Sequence, residues 1–434
     1  MVGFIGNVES FQADNTVKLH LKNGGEDGTS IIPFKEVVNS VDGLSNGSKF
    51  WLKPWLFTGD LQTMYLGAAD YSREFQVWYG RRLIEFPDGG SSTADFAIPK
   101  PESTEDFYNI AAKTLPSGWP KQHPRTRFFT PEELSQQPSN DTKPLVIISH
   151  GLGSGSHAPE VRSIVDKLTN INGFEVVVLN SRGCSRSKLT SGELFNGLAT
   201  DDLRHFVKFI QNIYPNRPLF GIGLSFGSTV LVNYLGEEGD QSPFVASVTL
   251  SNPWDMVDSM YRFPNRFLTR FLFQDVTTSY LTRLLKSNRE TLLKEGLITE
   301  KDLKHKYTSI SDFDNRITAP LYGFPTSWTY YRAASSINRI FNVQTPLLSI
   351  NSFDDPVVGV HSIPTEEAKH NPYIVQLRTD LGGHLGYIQS DGDSWASKKI
   401  CEFFKNFNDL VDTTKKPETD YIKPVSRYDS KLHY

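Results

Sequence analysis

Cysteine is nearly absent: Cys184 and Cys401 are the only two in 434 residues, and no C-x-x-C or Cys/His cluster with zinc spacing accompanies them. That excludes a disulfide scaffold and makes a reducing, intracellular setting the expectation. No apolar run reaches the roughly 18 residues of a spanning helix. The start, Met1-Val-Gly-Phe-Ile-Gly6, lacks the basic opening and apolar core of a signal peptide. Charge of one sign is also scarce. A formal net charge of -4 gives no global pull toward nucleic acid, and no nucleic-acid partner is expected. Internal repeats and low-complexity tracts are missing. Ser430-Lys-Leu432 resembles a peroxisomal address, but His433 and Tyr434 follow it, so it is not terminal.

What is present begins with Leu219-Phe-Gly-Ile-Gly-Leu-Ser-Phe-Gly-Ser228. A short apolar run turns at Ser225 between Gly223 and Gly227, and Val230, Leu231, Tyr234 and Leu235 follow at helical spacing. Strand, sharp turn and helix around G-x-S-x-G lift the serine hydroxyl out of a sheet edge. Glycine is required on both sides because a Cβ there would meet the neighbouring strand and helix. The helix N-terminus behind Ser225 adds backbone donors and partial positive charge.

A nucleophilic serine needs a base, a group that orients the base, and donors for an oxyanion. For this architecture the chain order is serine, acid, histidine. Leu381-Gly-Gly-His-Leu-Gly386 places His384 just past the last expected strand. Asn351-Ser-Phe-Asp-Asp-Pro356 follows the strand ending at Ile350, and either Asp354 or Asp355 can hold the imidazole. Asp355 is preferred because Pro356 rigidifies its backbone. His150-Gly-Leu-Gly-Ser-Gly155 supplies an oxyanion loop, with the N–H groups of Leu152 and Phe226 as its donors. The competing phosphate cradle lacks both G-x-x-x-x-G-K-[ST] and G-x-G-x-x-G. No H-x-x-x-D string occurs, which argues against acyltransferases that deprotonate the alcohol from that motif. His157 and His205 read as ordinary surface or near-site residues.

Around these signals the chain alternates strand and helix from Pro144, each strand apolar on both faces. That implies an α/β fold: a mostly parallel central sheet flanked by helices. Residues 1–45 read as a loose arm with a β-prone piece at Thr16–Leu21. Lys49–Phe57 is aromatic and is expected to pack on the body, or else to form an acyl-facing surface. Residues 81–96 read as a β-hairpin and 97–143 as a long surface connection. The core then comprises 46–255 and 343–410, interrupted by helices at 256–342 that form a lid, with a polar, loose tail at 411–434. Thr200 is expected to cap the next helix. Between Arg262 and Arg289 six basic residues face one acid. This stretch suits an anionic membrane surface or the CoA phosphates, and equally a plain cap with a solvated basic face.

Several strings together resemble the YheT-like branch of the α/β-hydrolases. They are His150-Gly-Leu-Gly153, Asn180-Ser-Arg-Gly-Cys-Ser185, Asn233-Tyr-Leu-Gly-Glu-Glu238, Ser251-Asn-Pro-Trp-Asp255 and Gly382-Gly-His-Leu-Gly386. Gly59-Asp-Leu-Gln-Thr63 is similar to that branch's upstream G-x-L-Q-T signature, with Asp60 where His is more usual. The likeness spans roughly residues 47 to 410. Lys49-Phe-Trp-Leu52, Phe75-Gln-Val-Trp-Tyr-Gly80 and Asp88-Gly-Gly90 bring it nearest to the medium-chain fatty acid ethyl ester synthase/esterase group, with monoacylglycerol lipases next. The resemblance implies an α/β-hydrolase fold and the triad Ser225, Asp355 and His384, and so selects the second aspartate. It implies transfer of a medium-chain acyl group from acyl-CoA to ethanol, with ester and thioester hydrolysis as a side activity. The CoA thioester is substrate, and neither cofactor nor metal is implied. Peripheral association with lipid droplets or a mitochondrial membrane is a further implication. The alternatives are a monoacylglycerol lipase, a general carboxylesterase, or a catalytically silent ligand-binding fold.

Overall fold

The computed structural model describes residues 3–22, 30–170, 173–262 and 274–425. Its strands, in chain order, are β1 (Ile5–Gln12), β2 (Lys18–His20), β3 (Ile31–Pro33), β4 (Lys49–Trp51), β5 (Trp78–Glu85), β6 (Ser91–Ile98), β7 (Thr126–Phe128), β8 (Leu145–Ser149), β9 (Glu175–Asn180), β10 (Leu219–Leu224), β11 (Phe244–Leu250), β12 (Leu347–Ser352) and β13 (Ile374–Thr379). Among the described residues eleven of them form one sheet, in the order β4-β1-β13-β12-β11-β10-β8-β9-β6-β5-β7. The run β9-β8-β10-β11-β12-β13 is parallel. Antiparallel β6 and β1 flank it. Every residue of β8, β10 and β12 is buried, as strands covered on both faces require.

Helices Pro159–Asn170 and Trp395–Leu410 cover one face. There Phe404 and Phe407 pack on Phe220 of β10. Helices Thr200–Ile213 and Phe226–Glu238 lie against the other, joining Leu219, Ile147 and Val177 in a second apolar cluster. From β8 the chain moves outward to β9, then returns to β10 and proceeds the opposite way through β11. The strand order therefore reverses between β8 and β10, and ligand sites of open α/β sheets lie at the carboxyl ends of such a point. Residues 256–342 contain helices and no strand among those described, running from Met256–Arg262 to Ser336–Asn342 between β11 and β12.

Several expectations need correction. The described residues among the first 45 are not a loose arm: β1 pairs with both β13 and β4, and Phe34, Val37, Val38 and Val41 are buried. The inward positions of β1 are Gly6 and Val8, so its alternation carries little apolar signal. The 97–143 connection holds helix Thr104–Thr114, capped by Ser103, then β7, then helix Pro131–Gln136 with a Thr130/Glu133 capping box. Thr200 is the first residue of its helix rather than its cap, and its hydroxyl donates to Glu237 instead. The tail is docked over its first part, with Val411 bridged to Leu21 and Glu418 to Lys18. In the aromatic stretch Phe50, Leu52 and Leu56 are buried, whereas Trp51, Trp55 and Phe57 are 58%, 62% and 42% exposed. Residues 263–273 of the basic run, with Arg266 and Arg270, and the Ser430–Leu432 string lie outside the described residues.

Candidate active site

Ser225 sits between the end of β10 and helix Phe226–Glu238 with φ 51° and ψ −120°, a left-handed backbone that a non-glycine residue adopts only at a cost. The glycines beside it are there for space. A Cβ on Gly223 would lie 2.5 Å from the Ser228 Cα, and one on Gly227 would lie 2.2 Å from the Ser149 carbonyl oxygen. The turn can close only with hydrogen at both positions.

The structure brings Ser225, His384 and Asp355 together. Ser225 Oγ is 2.8 Å from His384 Nε2, and His384 Nδ1 is 2.8 Å from Asp355 Oδ2. A carboxylate accepts only, so Nδ1 carries the proton and Nε2 is left as the acceptor facing the serine. Asp355 is 2% exposed, and its Oδ1 also accepts from the N–H groups of Val357 at 2.7 Å and Val358 at 2.9 Å. Those bonds fix the carboxylate plane that orients the imidazole. The neighbouring Asp354 turns elsewhere: its Oδ1 accepts from Gly383 N–H at 2.8 Å and from the Ser352 hydroxyl at 2.6 Å. Burial raises the Asp354 carboxyl above its ordinary value. The two adjacent aspartates thus occupy different places.

Gly151 approaches the serine closely; a Cβ there would be 3.5 Å from Ser225 Cβ. Phe226 opens the helix behind Ser225, where the first N–H groups have no partner within the helix, and Leu152 follows Gly151 in the loop beside the serine. His150 holds this loop. Its Nε2 accepts from Ser181 N–H at 2.9 Å, so Nδ1 is the protonated nitrogen and donates to the Gly151 carbonyl at 2.7 Å. Burial lowers its pKa to about 4, which keeps the ring neutral.

Behind the loop lies a buried polar network. Arg81 and Asp95, both fully buried, pair across the β5–β6 hairpin at 2.6 Å. Arg81 also donates to the Ser185 carbonyl at 2.9 Å, and Asn180 donates to Asp95 at 2.8 Å while accepting from Ser156 N–H at 3.1 Å. Burial alone would raise the Asp95 carboxyl, but Arg81, Ser156 and Asn180 together hold it below its ordinary value. The Asn180–Ser185 string therefore supports the oxyanion loop from beneath. His157 stacks on His123 with centroids 3.7 Å apart, and His205 packs edge-on against Phe86. Neither touches the serine.

An apolar cavity is lined by Leu152, Phe195 and Phe226 and, from the helical insertion at 256–342, by Met260, Leu281 and Phe313 among others. Phe226 follows Ser225 in the chain, and Leu152 follows Gly151, whose added Cβ would lie 3.5 Å from Ser225 Cβ, so the cavity adjoins Ser225. One part of the lining is polar. There Asp314 accepts from the hydroxyls of Thr318 at 2.5 Å and Tyr331 at 2.6 Å. Burial raises its carboxyl to about 6. Among the described residues no group of three or more His, Cys, Asp or Glu could hold a metal ion, and no helix is long and apolar enough to cross a membrane.

A family model described as alpha/beta hydrolase fold matches residues 144–391. The chain belongs to the α/β-hydrolases. It is similar to the medium-chain fatty acid ethyl ester synthase/esterase 2 of Saccharomyces cerevisiae, at 42% identity over 94% of this chain and 96% of that one. The monoacylglycerol lipase of the same yeast is 33% identical over 90% of this chain and 88% of its own. The mouse phospholipase ABHD3 is 31% identical over 57% of this chain and 59% of its own. As an α/β-hydrolase this chain is an enzyme of ester hydrolysis or acyl transfer.

Some contacts had no voice in the sequence. Ser251, which opens Ser251-Asn-Pro-Trp-Asp255, accepts from Leu385 N–H at 3.2 Å, next to the histidine. Thr63 and Gln62 reach the histidine loop from a helix over 300 residues earlier. Their motif was visible as a signature, but nothing in its composition says what it touches.

Proposed function

We propose that the protein transfers a medium-chain acyl group from its CoA thioester to ethanol through an acyl-Ser225 intermediate, and hydrolyses esters and thioesters by the same route. The observation that carries this reading is the Ser225–His384–Asp355 chain of 2.8 Å contacts opening beside an apolar cavity. The likeness to the yeast ethyl ester synthase/esterase, along nearly the whole of both chains, points to the acyl donor and acceptor. In the first half-reaction Ser225 Oγ attacks the thioester carbonyl while His384 Nε2 takes its proton. The N–H groups of Leu152 and Phe226 hold the oxyanion, a donor typically worth ~10²–10³ in rate. The C–S bond breaks, and CoA leaves with the proton from His384. In the second, the ethanol hydroxyl gives its proton to Nε2 and attacks the acyl-serine. The bond between the acyl carbon and Ser225 Oγ breaks, Oγ recovers the proton from His384 Nε2, and the ethyl ester departs. Water follows the same path to the free acid, so acceptor access and water exclusion set the product ratio.

Exposed Trp51, Trp55 and Phe57 lead into the helix that abuts the catalytic loops. We read them as the face presented to a lipid surface, where apolar substrates reside. The basic run from Arg262 is a candidate partner for the CoA phosphates.

The test is to supply octanoyl-CoA with ethanol, and separately a monoacylglycerol, and to quantify ethyl octanoate, octanoate and released glycerol. Ethyl octanoate that is lost in Ser225→Ala supports the proposal. Glyceride cleavage without any ethyl octanoate would instead favour the lipase reading suggested by the yeast monoacylglycerol lipase.

A further inference from the structure

The histidine loop pays for its geometry in backbone conformation. Leu385 and Tyr387 have φ of 63° and 54°, and Gly382 and Gly383 are also positive. A non-glycine residue held there costs on the order of 1–3 kcal/mol and persists only where the surroundings over-determine it. The constraint comes from helix Gly59–Ala68, which lies upstream of the stretch matched by the family model.

Thr63 Oγ1 donates to the Gly59 carbonyl at 2.7 Å and accepts from the backbone N–H of His384 itself at 2.8 Å. Because its proton is committed to Gly59, the oxygen lone pairs are aimed at the loop. Gln62, 0% exposed, donates to the Leu56 carbonyl at 2.9 Å and accepts from Ile388 N–H at 2.6 Å. The contact is backbone-close: a Cβ on Gly59 would lie 2.1 Å from the Asp354 carbonyl oxygen. Asp354, in turn, accepts from Gly383 N–H at 2.8 Å. One short helix therefore touches the segment bearing the acid and grips the loop bearing the base.

We infer that Thr63, assisted by Gln62, is a positioning residue that sets where the His384 imidazole stands relative to Ser225. The inference rests on the Ser225–His384 reading above but not on the identity of donor or acceptor. The hydrogen bond falls on the N–H of the catalytic residue, so loosening it moves Nε2 away from Oγ before it unfolds anything else. The role extends to Gly59, Gln62 and Thr63 of the Gly59–Thr63 motif and gives those three residues a common function.

The experiment compares full-length Thr63→Val, Thr63→Ser and Gln62→Met with the unmodified protein. The readouts are hydrolysis of p-nitrophenyl butyrate, which asks only for serine ester chemistry, the rate of fluorophosphonate labelling at Ser225, and thermal melting. Losing one such hydrogen bond, roughly 1–2 kcal/mol, corresponds to about a tenfold change. Thr63→Val should therefore lower kcat by about tenfold or more with KM within about twofold, and slow labelling in proportion. Thr63→Ser should restore kcat to within about threefold. Gln62→Met, which keeps length but loses both bonds, should lower kcat by about threefold; it carries the test if Thr63→Val does not fold. Wild-type kcat in Thr63→Val, or in Gln62→Met where Thr63→Val does not fold, overturns the inference. So does an equal fall in the Val and Ser variants. Failure of ethyl ester synthesis with hydrolysis intact would touch only the acyl-CoA and ethanol assignment.

Discussion

The sheet end and the helical insertion at 256–342 are built by different means. At the sheet end, position is enforced through backbone: Ser225 at φ 51°, Ser251 at φ 54°, Leu385 at φ 63°, and glycines where another Cβ would collide with a carbonyl. In the insertion, position is enforced through side chains. Helices such as Ile310–Arg316 and Ser327–Ala334 are held by apolar contacts and by one buried carboxyl, Asp314, under two hydroxyls. Backbone constraint admits few substitutions and fixes chemistry. Side-chain packing admits many and tunes what is bound.

Substitutions at the sheet end should have the largest effects. Ser225→Ala should lower esterase kcat by at least ~10⁴-fold while leaving circular dichroism and melting unchanged, because it removes the reacting oxygen and little packing. Asp355→Asn should cost about 10³–10⁴ in kcat, since an amide at that position can favour the wrong imidazole tautomer. Its neighbour makes the contrast: Asp354→Asn retains the oxygen that accepts from Gly383 and Ser352, and kcat should fall by less than about tenfold. Equal losses at the two aspartates would erase the distinction between orienting acid and loop brace.

Substitutions in the insertion should redirect rather than abolish. Phe313→Ala enlarges the cavity wall and should shift the kcat/KM ratio of dodecanoyl to butanoyl esters upward by about fivefold, with acetate ester hydrolysis within about twofold. A uniform loss across chain lengths would move Phe313 into the chemistry instead. The smallest effect concerns pH. The Asp314 carboxyl is raised by burial to about 6, above its unfolded value, so the folded protein binds its proton more tightly. That contribution to stability is fully present below the unfolded pKa and is lost as pH rises through about 6. Its size is on the order of 2 kcal/mol, a melting shift of about 2–4 °C between pH 4 and pH 8. Comparing melting at those two pH values, Asp314→Asn should remove that part of the dependence; an unchanged difference would show that Asp314 is not its source.

The buried parallel strands and the nucleophile turn were legible because both write themselves locally, as continuous apolar runs and as glycines flanking a serine. The acid and base were legible in order and placement; the sequence preferred Asp355 over Asp354 by a modest margin, and it is Asp355 that contacts His384 Nδ1. β1 was illegible because Gly6 and Val8 do its burying, and Gly6 leaves room for the Phe50 ring. The helix at Thr104–Thr114 was hidden in polar composition, with Phe107 its one buried residue. Thr63 and Gln62 were legible as residues but not as contacts, since their partners lie more than 320 positions away.

The central claim is that Ser225 carries the acyl group between donor and acceptor. Mass spectrometry of the protein quenched during turnover of octanoyl-CoA tests it most directly. The account predicts an octanoyl adduct on the peptide bearing Ser225 that disappears when ethanol is added, as ethyl octanoate forms in equal amount. Ethyl octanoate produced with no adduct at any quench time, and undiminished in Ser225→Ala, would contradict it.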